Sequence, residues 1–207
     1  MVAVSVLLPV HGSPQYMEHA IRSVLLQSLE DFELILIADR LSRNCRQSIE
    51  AFGNSDSRIV ILDSEGEGLS NALNTGLRSA RAPYICRLDD DDLMSPDRLK
   101  TQVRVLNKNP SLVCLGSQVV YFGAPSSPSI SRLPLTNWQM RIEAIFSNPL
   151  AHPSIMIRKS ALNSVSGYSA LFRYAQDYEL FSRLMHKGRV RNLSRPLTAY
   201  RVHENQT

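Results

Sequence analysis

Four stretches of this chain, Val4–Leu8, Phe32–Ala38, Arg58–Leu62 and Tyr84–Leu88, are short and apolar almost without a break, and that continuity restricts the fold more than any other feature. A strand with one wet face alternates apolar and polar residues, whereas an unbroken run must be covered on both faces, as in a parallel sheet between helical layers. The intervening residues supply those layers. Met17, Ala20, Ile21, Val24 and Leu25 recur at helical spacing within residues 15–27, and residues 70–81 read as a second helix with Ser70 as its cap. Strand, helix and strand in succession give neighbouring parallel strands, so the pattern predicts an α/β fold with a doubly wound, mainly parallel open sheet and flanking helices.

Farther along, Ser95-Pro96-Asp97 offers an N-cap, a proline at the first helical position and an acidic first turn for a helix reaching about Asn107. Residues 112–122 read as a strand and 123–137, rich in Pro and Ser, as a surface loop. A helix over 138–146, a strand over 154–157, a helix over 177–187 and short strands ending at Tyr200-Arg201-Val202-His203 complete the expectation. At 207 residues, 43% of them hydrophobic, the chain can bury the core of one domain, and no shift in composition divides it. The formal charge of +4 comes without a clustered Lys/Arg stripe, which argues against nucleic acid and leaves anionic ligands or a membrane face open. Cys45, Cys86 and Cys114 are odd in number and widely spaced, as expected of reduced thiols. Residues 2–10 are too short to span a bilayer and lack a basic leader, so the expected compartment is the cytoplasm.

Ligands of open parallel sheets bind beyond the carboxyl ends of the strands, here Pro9 to Gly12, Asp39 and Asp89 to Asp92. The first two also read as an ordinary turn and a solvated loop residue. The acidic run is more informative, because four consecutive carboxylates at the end of a buried strand repel one another unless a cation sits among them. On an extended segment Asp89 and Asp91 face the same way and can converge on Mg²⁺ or Mn²⁺, although a solvated acidic turn is the alternative. Asp177, at the start of an amphipathic helix, reads on these residues alone first as an N-cap, with a functional carboxylate as the alternative.

In their order along the chain these segments resemble the family 2 glycosyltransferases of the GT-A fold, from Val4 to His203. The residues that carry the resemblance are Val4-Ser5-Val6-Leu7-Leu8-Pro9-Val10, Glu33-Leu34-Ile35-Leu36-Ile37-Ala38-Asp39, Gly68-Leu69-Ser70-Asn71-Ala72-Leu73-Asn74-Thr75-Gly76 and Arg87-Leu88-Asp89-Asp90-Asp91-Asp92. Asn148-Pro149-Leu150-Ala151-His152-Pro153-Ser154, Val165-Ser166-Gly167-Tyr168, Ala175-Gln176-Asp177-Tyr178-Glu179-Leu180 and Tyr200-Arg201-Val202-His203 extend it. The resemblance implies one domain, with residues 1–110 binding the nucleotide-sugar and 111–207 facing the acceptor. It implies that Pro9, Val10, His11, Asp39, Asn71, Asp89 and Asp90 line the donor, that Asp89, Asp91 and His203 hold Mn²⁺ or Mg²⁺, and that Asp177 is the catalytic base.

The implied activity is inverting transfer from a nucleotide-sugar, UDP-linked by family habit, to a saccharide or polyprenol-linked acceptor in cell-surface glycan synthesis. Peripheral contact with the inner face of a membrane is part of that expectation. Ala38 stands where the family has the first acid of an Asp-Asp pair, and Gln176 replaces the acid before Asp177. Two rivals remain. A nucleotidyltransferase would open with a basic, Gly-rich phosphate loop, and Pro9-Val10-His11-Gly12-Ser13 has no Lys or Arg; a catalytically silent sugar-nucleotide-binding module would bind without turnover.

Overall fold

The computed structural model describes residues 2–11, 14–123, 128–172 and 174–203. Its first half follows the apolar runs: β1 (Val4–Val10), α1 (Pro14–Leu25), β2 (Phe32–Ala38), α2 (Arg43–Ser55), β3 (Ile59–Asp63), α3 (Leu69–Ser79) and β4 (Tyr84–Arg87). The second half holds β5 (Leu93–Met94), α4 (Arg98–Lys108), β6 (Leu112–Phe122), β7 (Ser129–Ile130), α5 (Asn137–Glu143), β8 (Met156–Arg158), α6 (Lys159–Ser164), α7 (Gln176–Met185) and β9 (Arg189–Arg201). Strand order is β3-β2-β1-β4-β8-β6-β9-β5, with β7 pairing β6. The four strands β3, β2, β1 and β4 are parallel, β8 runs against both β4 and β6, and β6 and β9 are parallel.

Every residue of β1 and β2 is buried, which is why neither alternates. Even residues of β1 (Val4, Val6, Leu8) pack on one side with Met17, Ile21 and Val24 of α1, while Leu7 points to the other with Leu73 and Leu77 of α3. Two apolar layers therefore share one sheet. Beyond β4 the sheet is built from residues far apart in sequence, and the long β9 threads back between β6 and β5.

Several boundaries differ from the sequence reading, each for a local reason. The helix after β3 is capped by Gly68 rather than Ser70, with φ 86° and ψ 165°, a conformation that suits glycine and frees its N–H to point away from the helix. Ser95 does not cap α4; its hydroxyl donates to Asp97, and Asp97 occupies the cap position without a side-chain bond to the helix. Asp177 is not an N-cap either, because Ala175 takes that place in a left-handed conformation and Asp177 falls inside the first turn of α7. The C-terminal short strands are one 13-residue strand, and α2 and α6 carry too few apolar residues to be anticipated, burying only Cys45 and Ile49 in one and Ala161 and Leu162 in the other. Part of the expected 123–137 loop is β7, while residues 124–127, like Gly12 and Ser13 of the first loop, lie outside the described residues.

Candidate active site

The parallel strands end on one edge, and the polar groups expected there meet. His11, just after β1, donates its backbone N–H to Asp90 Oδ2 at 2.8 Å, and its ring Nδ1 lies 3.0 Å from the Asp39 carbonyl. Asp39, just after β2, accepts the Gly68 N–H on Oδ2 at 3.0 Å and donates its own N–H to the Val10 carbonyl. One small network thus joins the ends of β1 and β2, the start of α3 and the acidic run. Pro9 and Val10 are buried in register with Ile37 and Ala38, and Asn71 lies in the first turn of α3 with its amide on the Glu67 carbonyl at 2.8 Å.

The acidic run is a turn, not the extended segment expected, with Asp92 N–H reaching back to the Asp89 carbonyl at 3.3 Å. The turn still brings Asp89 and Asp91 together, and it adds Asp92: one oxygen of each of the three lies within 4.8 Å of the others. β9 closes the group from the far end of the chain. Arg201 N–H donates to Asp92 Oδ1 at 2.7 Å, Arg201 Nε donates to the Asp91 carbonyl at 2.8 Å, and His203 Nε2 lies 3.0 Å from Asp91 Oδ2. The Arg201 guanidinium is itself clamped between the rings of Tyr16 and Phe122.

Below the turn sits the buried Arg87, paired with Asp89. Burial opposes its charge, but Asp89 outweighs the loss and keeps the guanidinium protonated. Asp92 is fully buried, and its carboxyl is pushed up to about 8 by burial and by Asp89 and Asp91, against the Arg201 N–H bond and Arg87. Its Oδ2 has no hydrogen-bond partner among the described residues. Tyr200, also on β9, is pushed up to about 12 by burial and by Asp89 and Asp92, so its ring also faces the cluster. A buried acceptor oxygen among three converging carboxylates is the environment a hard dication relieves, and the donor set fits Mg²⁺ or Mn²⁺.

The motifs around His152, Tyr168 and Asp177 meet beside this cluster. Tyr168 Oη lies 3.0 Å from His152 Nε2, and its phenol is pushed up by burial and feels the charges of both Asp177 and Asp89. His152 is pushed well below its ordinary value by burial and by Arg87, hence neutral. Gly167, at φ 69°, turns the chain so that the Tyr168 backbone pairs with both amide atoms of Asn74; a Cβ there would sit 2.5 Å from Asn74 Oδ1. On α7, Asp177 Oδ2 accepts from Asn148 Nδ2 at 2.7 Å and Oδ1 from the Tyr178 N–H at 2.8 Å.

The family model for glycosyl transferase family 2 matches residues 5–173, a stretch that includes the acidic turn, Asp39 and the His152 and Tyr168 motifs. The chain is a family 2 glycosyltransferase. Among curated relatives, this glycosyltransferase is 31% identical over 212 residues to the O-antigen biosynthesis glycosyltransferase WbnJ of Escherichia coli, covering 99% of this chain and 81% of that one. It is 28% identical over 187 residues to the amylovoran biosynthesis glycosyltransferase AmsE of Erwinia amylovora, covering 89% and 70%.

Residues 1–349 of S. aureus TarS in complex with UDP-GlcNAc superpose on it with a TM-score of 0.80 at 18% identity, covering 99% of this chain and 60% of that chain. The mannosyltransferase PcManGT of Pyrobaculum calidifontis, in complex with GDP-Man and Mn²⁺, gives 0.75 at 15%, covering 98% and 57%. These likenesses show the GT-A fold, and this chain spans about three fifths of those solved chains.

In the family 2 glycosyltransferase the sequence-derived residues fall into two groups. Pro9, Val10, His11, Asp39, Asn71, Asp89, Asp90, Asp91 and His203 belong to the edge just described, and Asp177 stands with Asn148 on α7. Sequence reasoning missed Asp92, Arg87 and Arg98. The first two adjoin residues it did name, and a cation before four acids was a usable signal. Arg98 is fully buried and donates to Gln102, Thr198 and the carbonyls of Arg87, Pro153 and Ile155, partners that, Gln102 aside, lie too far apart in sequence for any local pattern to mark it.

Proposed function

We propose that this glycosyltransferase moves a sugar from a UDP-linked donor to a saccharide or polyprenol-linked acceptor, with inversion and with Mn²⁺ or Mg²⁺ as cofactor. The observation that carries the reading is the closed acidic turn: three carboxylates within 4.8 Å, His203 on Asp91, and a buried Asp92 oxygen without a partner among the described residues. The UDP-GlcNAc bound to TarS supports the donor class, and the Mn²⁺ in PcManGT supports the metal. The amylovoran and O-antigen relatives support a place in cell-surface polysaccharide synthesis.

On this reading Asp91, Asp89 and His203 hold the metal with Asp92 beneath them, and bound there it supplies positive charge to the leaving diphosphate. Pro9, Val10, His11, Asp39 and Asn71 address the nucleoside, and Asp89 and Asp90 reach the donor's sugar side. Asp177 takes the proton of the acceptor hydroxyl as its oxygen bonds to the anomeric carbon and the carbon–oxygen bond to the diphosphate breaks, the bonding pair leaving with the phosphate. Each Asp177 oxygen accepts one hydrogen bond already and has a further lone pair for that proton. Asn148 orients the carboxylate, so no separate base is required.

Two linked measurements test this. A thermal-shift panel of UDP-, GDP-, CMP- and dTDP-sugars with and without Mn²⁺ should single out a UDP-sugar with metal, worth about 2.7 kcal/mol at ~100 times its dissociation constant. Asp177→Asn should then bind that donor normally while transfer falls roughly 10²-fold or more, since an amide accepts no proton. Transfer near the wild-type rate in the Asn variant removes Asp177 as base, and donor binding without turnover in the parent protein identifies a silent binding module.

A further inference from the structure

α5 is amphipathic in an unusual sense. Its inward residue Met140 is buried in the core and Tyr178 Oη bonds to the Ala144 carbonyl, yet Trp138 is 71% exposed, Ile145 71% and Phe146 81%, with Ile142 exposed between them. Positions 138, 142 and 145 lie four and three residues apart, which places them on one stripe of the helix and the turn that continues it. A second apolar segment adjoins it: Leu171, 93% exposed, with Phe172 and Tyr174 also exposed, leads into α7. The bonds from Tyr178 to Ala144 and from Asn148 to Asp177 tie the two segments into one face.

The charge around that face is mainly positive, with Glu143 of α5 and Asp177 and Glu179 of α7 as the acids near it. Residues 111–207 contain eleven Lys and Arg against four Asp and Glu, whereas residues 1–110 contain twelve against fifteen. Between Asp97 and Asp177 the sequence has a single acid, Glu143. Arg141 of α5 is exposed and donates to the Met185 carbonyl, and Val190 N–H donates to Asn137 Oδ1 at 2.9 Å; these bonds set the exposed His186, Lys187 and Arg189 beside the stripe. An exposed tryptophan and aliphatic stripe bordered by cations matches an interfacial helix, whose apolar side enters the headgroup region while its cations meet anionic lipid. The same positive charge works against pairing with a second copy of the face.

We propose that this face docks on an anionic lipid bilayer. No helix among the described residues is long and apolar enough to cross a membrane, so the contact is peripheral. Docking does not depend on the role of Asp177. Taken with the reading of Asp177 as base, which is a separate matter, it turns the acceptor side toward the bilayer and favours a lipid-linked acceptor.

Trp138 is the only tryptophan, so its emission reports on this face alone. The whole chain is titrated with phosphatidylcholine vesicles containing or lacking phosphatidylglycerol, and binding is scored by Trp138 emission and co-sedimentation. A blue shift with phosphatidylglycerol vesicles only, reversed by high salt, is expected. Ile145→Ser/Phe146→Ser should weaken binding at least tenfold, and Lys187→Gln/Arg189→Gln by about fivefold per charge removed, while all four exposed changes leave the far-UV spectrum and unfolding midpoint unchanged. Unshifted Trp138 emission overturns the proposal. So does full binding by the Ser variant, or a dimer in light scattering that the Ser variant abolishes, which would make the face a contact between copies.

Discussion

Two groups from the far end of the chain converge on Asp91: His203 on its side chain and Arg201 on its carbonyl. Asp91→Ala removes the carboxylate while leaving the Arg201 bonds to the backbone and to Asp92 in place, so the variant should fold. It should lose most Mn²⁺-dependent UDP binding, because water brings no charge to replace a carboxylate ligand, while metal-free binding persists. Calorimetric titration of UDP with and without Mn²⁺ measures both, and equal metal dependence in the variant would remove Asp91 from the site. At this scale the sequence was half legible. Repulsion within the acidic run pointed to Asp89 and Asp91, but the burial of Asp92 depends on a backbone N–H 109 residues away, and no local pattern encodes that.

Among the elements, two polar stitches hold strand ends that apolar packing alone would leave to slide. On the edge away from the site, Glu33 of β2 accepts from Ser5 Oγ at 2.6 Å and from Arg81 N and Nε at 2.7 and 2.8 Å, which fixes β1, β2 and the approach to β4. Burial pushes the Glu33 carboxyl up, but the bonds from Ser5 and Arg81 hold it below its usual value. A lowered folded value means stability that is present above the unfolded value of about 4.3 and lost as pH falls through the folded one. Glu33→Gln should therefore cost roughly 1–3 kcal/mol at neutral pH, with the gap to wild type closing in acid. A gap constant with pH in urea titrations would contradict this.

Arg98 is the second stitch, joining α4 to β4, β9 and the turn before β8. Arg98→Met takes the guanidinium donors from three carbonyls, of which that of Ile155 keeps the Arg87 N–H, and should cost about 2–4 kcal/mol, read as a shifted urea midpoint at unchanged slope. Strands β1 and β2 were legible because both faces are apolar. α2 was not, since only Cys45 and Ile49 of its 13 residues are buried.

Across the whole molecule, the first and second halves of the chain share one sheet, with β8 hydrogen-bonded to both β4 and β6. A continuous sheet argues for one cooperative unit, so Trp138 emission, which reports the second half, and far-UV dichroism should trace coincident unfolding curves. Separated curves would show halves that melt independently. Parallel topology was legible from the first four strands, where each crossover is local. The placement of β9 between β6 and β5 was not, because that order is set by packing at separations of about a hundred residues.

That late strand also sets a timetable. During synthesis, at roughly 5–20 residues per second, the stretch from Asp91 to His203 takes on the order of 5–20 s to make. For that interval the acidic turn has neither the Arg201 N–H nor the His203 ring, and its carboxylates face one another beside Arg87. The growing polypeptide therefore cannot own the closed acidic turn until translation has passed β9, and a ribosome that stalls before that strand releases a product in which the turn stays open.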